Sequence, residues 1–168
     1  MGTIQNLFDR KALEKLQQLV KETPTCMFGS NLAAVPFHVC PMEVQQVDEN
    51  GSFWLFSGAD SVHNAQIRQD PRVHLIFGNP SKHEYLTVYG QAEISRDPRK
   101  VDELWSNMVK TWFPQGQDDP NLTLIRISPE RVHYWDVKDG KLAAMAKIML
   151  GAVTGKPMDV GVEGDLTP

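Results

Sequence analysis

His38 and Cys40 stand two residues apart, the spacing that puts both side chains on one face of a strand, where an imidazole and a thiolate could share a metal. A metal centre needs further ligands at defined spacing, and none accompanies this pair, so packing or the lining of a ligand site is its reading. Ser61-Val62-His63 offers different chemistry. A serine caps a helix, and a histidine in the first turn can donate to an anion seated on the free N–H groups there. For His63 an exposed helix-start histidine is the plainer alternative. The aromatics Trp54, Phe56, Trp112, Phe113 and Trp135 could stack on a planar cofactor or could simply pack. Trp54 and Trp135 are assigned to packing, while Trp112 and Phe113 stay open between packing and a cofactor edge. Asp118-Asp119, ahead of Pro120, reads as turn chemistry rather than an acid/base pair. His74, His83 and His133 have no constellation around them, and no Ser/His/Asp triad, phosphate loop or Cys-x-x-Cys motif occurs.

The elements that must position these groups follow from hydrophobic period. Leu13, Leu16, Leu19 and Val20 recur at helical spacing within 9–21, and Thr23-Pro24 ends that amphipathic leading helix. The period then changes to that of strands at 25–31, 35–47 and 52–57, with Asn50-Gly51 as a hairpin signal. A short helix runs from its cap Ser61 to Arg68 before Asp70-Pro71. Strands at 72–77 and 84–95 come next. Pro98 opens a helix with Val101, Leu104, Trp105 and Met108 along one side, and 112–120 is a loop. Strands at 122–127 and 131–137, a helix at 142–150 and a loosely ordered tail at 152–168 complete the chain. The strand at 35–47 is apolar on both faces, which predicts closure into a small barrel with a covered outer face. A partner subunit is the economical cover.

Bulk properties narrow the function classes. The chain has 168 residues, 41% hydrophobic and 23% charged, which fits a single soluble domain over 1–168. Seventeen Lys and Arg against 21 Asp and Glu give a net charge of -4, without a basic run, so nucleic acid is not an expected partner. No apolar stretch has the length of a membrane span, and the first ten residues do not make a signal sequence. The expected location is the cytoplasm, where Cys26 and Cys40 stay reduced.

A chain-long pattern goes beyond these motifs. It includes His38-Val39-Cys40-Pro41-Met42, Phe53-Trp54-Leu55-Phe56-Ser57, Ser61-Val62-His63 and Asp70-Pro71-Arg72-Val73. It continues through Tyr85-Leu86-Thr87-Val88-Tyr89-Gly90-Gln91-Ala92, Trp105, Lys110-Thr111-Trp112-Phe113-Pro114-Gln115-Gly116, Asp118-Asp119-Pro120 and Tyr134-Trp135-Asp136. This resembles the general-stress-protein branch of the pyridoxamine 5'-phosphate oxidase-like FMN-binding split barrels. The resemblance implies a mainly-β (α+β) fold, a six- to seven-stranded antiparallel split β-barrel with short flanking helices. It further implies a homodimer with FMN at the subunit interface. Carried over by position, Cys40, Pro41 and Met42 would line the isoalloxazine, and Phe56 and Ser57 would sit beside the ring and its phosphate arm. Ser61 and His63 would take the phosphate, Tyr85 would approach the ring system, and Trp112 and Phe113 would reach across the interface.

Two positions depart from the family pattern: Cys40 stands where an arginine is usual, and His63 where a lysine is usual. Both changes remove a permanent cation from an end that should meet a doubly negative phosphate. The resemblance therefore implies an FMN-binding redox protein, a flavin-dependent oxidoreductase in stress response, with a weakened phosphate site. Its alternative is a non-enzymatic flavin carrier, redox sensor or degenerate member. Pyridoxamine 5'-phosphate oxidase activity itself is not expected, because the extra basic residues for a phosphorylated substrate are missing. No catalytic acid or base is named.

Overall fold

In the computed structural model, which describes residues 3–137 and 161–168, two short strands, β1 (Thr3–Ile4) and β2 (Leu7–Phe8), precede α1 (Asp9–Glu22). The helix buries Ala12, Leu16, Leu19 and Val20 and stops before Pro24, which keeps Thr23 out of helical backbone. Then come β3 (Thr25–Ser30), β4 (His38–Val47), β5 (Phe53–Gly58), α2 (Val62–Gln69), β6 (Arg72–Asn79) and β7 (Glu84–Ser95). The remaining elements are α3 (Pro98–Leu104), α4 (Val109–Trp112), a 3₁₀ turn (Gly116–Asp118), β8 (Leu122–Val137) and β9 (Gly161–Thr167).

Strands β8, β5, β4, β3, β6 and β7 are neighbours in that order, every pair antiparallel, and β7 pairs back onto β8. Six strands thus close a barrel, the closure expected from the strand at 35–47. Its interior holds one alternation from each wall: Phe28, Val44, Phe53 and Leu55, Val73 and Leu75, Leu86 and Val88, Ile125 and Ile127. The apolar face of α1 packs onto this core. The other alternation faces outward. Along it Met27 is in register with Pro41 on one side and Ile76 on the other. Both flanking apolar side chains, Met27 and Ile76, are 46% exposed.

The structure revises several expected elements. The expected strand at 35–47 starts only at His38, because residues 31–34 turn, with Asn31 in left-handed backbone (φ 54) and Ala34 N–H bonded to its carbonyl. In the hairpin after β4 only Gly51 takes positive φ (76), while Asp48 receives the Gly51 N–H and bonds Ser52, a three-residue loop. The expected strands 122–127 and 131–137 are one strand, β8, bent at Ser128-Pro129 opposite Gly90. A Cβ on Gly90 would lie 2.3 Å from the Ser128 carbonyl oxygen, so the bend is possible only over a glycine.

The third helix ends at Leu104. Trp105 leaves helical backbone and sets its ring edge-on to Phe56, with centroids 6.2 Å apart at 88°. Met108 therefore caps a separate turn, α4, instead of extending the stripe of α3. The tail expected to be loose at 152–168 contains β9, which pairs with the half of β8 that β5 leaves open. β1 and β2 run parallel to β9 on its other edge. Residues 152–160 and the expected helix at 142–150 lie outside the described residues.

Candidate functional site

Strands β4 and β5, the start of α2 and the turn of α4 enclose a groove of about 660 Å³, within the usual range for small-molecule sites. Eight of the ten sequence-derived site residues line it: Cys40, Pro41, Met42, Phe56, Ser57, His63, Trp112 and Phe113. They meet because β4 and β5 are ladder neighbours and α2 begins just after the end of β5. One wall is aromatic. Phe113 is buried and lies 6.4 Å from Phe56, centroid to centroid, while Trp112 stands 79% exposed at the rim. Pro41 and Met42, with His38, Glu43 and Gln45, line it from β4.

The α2 end is held by a polar network. Ser61 caps the helix, its Oγ accepting from Asn64 N–H at 3.2 Å. The fully buried Asn64 accepts from Ser57 Oγ at 2.9 Å and donates to Thr123 Oγ1 at 2.9 Å. Thr123 Oγ1 also donates to the Ser57 carbonyl at 2.8 Å. The Ser57 hydroxyl is thus committed to fixing α2 on β5 and β8. Asn64 and Thr123 were not among the sequence-derived residues, since a lone Asn inside a helix and a Thr inside a strand carry no motif. Ser61 itself does not line the groove; it shapes the helix start from behind.

His63 faces Cys40, Nδ1 to Sγ 3.8 Å, and meets Phe28 edge-on with centroids 5.9 Å apart. Its Nε2 is buried without a partner among the described residues. Burial, and then the nearby His38, push the imidazole below its ordinary value, while burial pushes the Cys40 thiol up. The neutral forms of both groups are favoured near neutrality. Cys26, in the barrel interior, is pushed up to about 12 by burial first. His38 turns to Ser30, Nδ1 to Oγ 3.4 Å. Among the described residues no cluster of His, Cys, Asp and Glu has metal-site geometry.

The structure separates the remaining sites. Tyr85 is on the outer face of the barrel, in register with Gly78 and Trp135, away from the groove of its own chain. A strand's alternation decides this: Leu86 points inward, so Tyr85 must point out. Trp112 and Phe113, for which the resemblance implies a reach across an interface, line the groove of the single chain. Glu43, Gln45, Val62, Met108 and Val109 also line it, and of these Glu43 alone is an acidic side chain. Asp119 is a turn residue, accepting from Asn121 N–H at 2.9 Å and Gln115 N–H at 3.4 Å.

A cofactor with a flat ring suits the aromatic wall and the volume. A phosphate does not suit the lining, which holds no Lys or Arg among the described residues.

A family model, pyridoxamine 5'-phosphate oxidase like, matches residues 11–159. General stress protein 26 of Bacillus subtilis is 35% identical over 74 residues, 42% of this chain and 52% of that protein. Protein bli-3 of Neurospora crassa is 24% identical over 128 residues, 71% of this chain and 61% of that protein. The matches therefore span between about half and three-fifths of those relatives' lengths. Among solved structures, a candidate general stress protein 26 from Jannaschia sp. CCS1 has TM-score 0.80 at 20% identity, covering 95% of this chain and 100% of that one. The general stress FMN/FAD binding protein of Xanthomonas citri has TM-score 0.66 at 28% identity, covering 76% of this chain and 90% of that one.

Proposed function

The chain belongs to the pyridoxamine 5'-phosphate oxidase-like family, and from that premise we propose that it is a flavin-binding redox protein that works as a homodimer. The carrying observation is the groove between β4, β5 and α4, whose lining offers Phe56, Trp112 and Phe113, together with Pro41-Met42, to a ring. The FMN/FAD binding named for the Xanthomonas citri structure supports this. A bound isoalloxazine supplies hydride or electron transfer; the chain orients the ring and excludes water. FMN is the flavin that the resemblance implies.

The dimer has its own support. Met27, Ile76 and Val39 form an exposed apolar patch on the outer sheet, and Pro41 belongs both to that face and to the groove. A second copy placed there would cover the patch and bring a partner's outer face, Tyr85 and Trp135 included, against the groove. A cytoplasmic location and a role in stress response complete the proposal; no described helix is long and apolar enough to cross a membrane.

The test is colour. The purified protein should show the two visible bands of oxidised flavin or quench the fluorescence of added riboflavin or FMN. A colourless preparation that leaves both flavins unquenched overturns the reading. A second reading, a non-enzymatic flavin carrier or sensor, is favoured by the neutral Cys40–His63 end. Rapid bleaching of bound flavin by NADH or NADPH supports the oxidoreductase, and inertness the carrier.

A further inference from the structure

We propose that the groove selects a flavin without phosphate, riboflavin in preference to FMN. The inference rests on the flavin reading above and deepens it. Wherever along the lining a phosphate is placed, it meets no Lys or Arg among the described residues, and the acidic side chain on the wall is that of Glu43. A dianion entering such a wall gives up its water without a charged partner in return.

The donors that remain are few. The groove's most donor-rich end is the first turn of α2, where the Val62 and His63 N–H groups have no intrahelical acceptor. The third such group, Asn64 N–H, is already taken by Ser61 Oγ. Side chains add nothing there. Ser57 Oγ is held by Asn64 and Thr123, His63 Nδ1 faces the Cys40 thiol, and His63 Nε2 is buried in the interior. Val62, the first residue of α2, presents an apolar side chain to the groove beside those amides. Two amides can satisfy hydroxyl groups of a ribityl chain, which are neutral and both donate and accept. They are a poor match for two negative charges.

Two titrations under one buffer condition test this, following the quenching of flavin fluorescence with riboflavin and with FMN. Riboflavin is expected to bind at least about tenfold tighter. Equal or tighter binding of FMN overturns the preference while leaving the flavin reading intact, since a cation must then come from outside the described lining. Absence of quenching by either flavin overturns both. His63→Lys should move the FMN-to-riboflavin affinity ratio about tenfold toward FMN. Val62→Lys, at a side chain 59% exposed, should move it the same way and serves where His63→Lys fails to fold. A ratio unmoved by both cations overturns the assignment of the phosphate-poor end to the start of α2.

Discussion

Cys40 on β4 lies against His63 in the first turn of α2, Sγ to Nδ1 3.8 Å, so the two positions that depart from the family pattern form one contact. Neither departure is independent of the other. A neutral thiol beside a neutral imidazole fills the space compactly, whereas an arginine and a lysine in the same place would repel each other without an anion between them. The contact is not a reactive thiolate–imidazolium pair, because burial raises the thiol and lowers the imidazole. Iodoacetamide should therefore modify Cys40 more slowly at pH 7 than it modifies a free cysteine, with the rate rising only above the ordinary thiol range. Fast labelling at neutral pH would contradict the geometry.

The same burial sets an acid limit on stability. His63 and His74 are both held below the ordinary histidine value, desolvation being the first cause in each. The unfolded chain then binds more protons than the folded one as pH falls through about 6.5. Stability is full above that value and is lost below it, down to the lowered folded pKa. The thermal midpoint should fall between pH 7 and pH 5, and His63→Gln should flatten that slope. Calorimetry across this range with both proteins is the check.

Asn64 is the hinge between fold and site. It is fully buried and joins Ser57 to Thr123 while its N–H meets Ser61. Asn64→Ala leaves two buried hydroxyls short of partners, a loss of about 2–3 kcal/mol. Urea denaturation measures the loss. Flavin affinity should drop alongside it, since the start of α2 is no longer fixed to β5. Asn64→Asp should fare no better, because Thr123 Oγ1 loses its donor.

How much of this was legible in the sequence varies with the kind of residue. The barrel was, because Val73-x-Leu75-x-Phe77 and Leu86-x-Val88 alternate cleanly and the buried faces follow from period two. The groove was legible through the resemblance for Cys40, Pro41, Met42, Phe56, Ser57, His63, Trp112 and Phe113, but not through spacing. Asn64 and Thr123 carry no local signal; their role appears only when β5, β8 and α2 meet. The bend of β8 was hidden for a related reason: Ser128-Pro129 reads as a break between two strands, and only the facing Gly90 lets one strand continue past it. β9 was masked by its glycines. Val162, Gly164 and Leu166 alternate inward, but Gly164 is there to let Gln5 approach, with its carbonyl oxygen 2.1 Å from where a Cβ would stand.

Gly90 makes that bend testable. Gly90→Ala puts a Cβ into the backbone of Ser128 and Pro129, atoms that cannot step aside as a flexible side chain could. The expected cost is about 3 kcal/mol or more. Gly78→Ala on the neighbouring strand meets only the Tyr85 ring at 3.4 Å and should cost far less. Equal denaturation midpoints for the two variants would show that β8 does not cross Gly90 as described.

The outer sheet decides between a monomer with an open groove and a dimer with a covered one. Ile76→Lys places a charge at the centre of the Met27–Ile76 pair, where the side chain is half exposed in the single chain. A folded monomer tolerates such a surface change at about 0.5 kcal/mol. A dimer sealed through this face does not, because the ammonium would lose its water against an apolar partner. Light scattering should give the parent protein twice the 18.9 kDa chain mass and the variant a shift toward 18.9 kDa. Flavin affinity should fall in the same variant, since Pro41 ties the face to the groove. A parent protein of single-chain mass would remove the second copy from the site, leaving Tyr85 with no groove to meet.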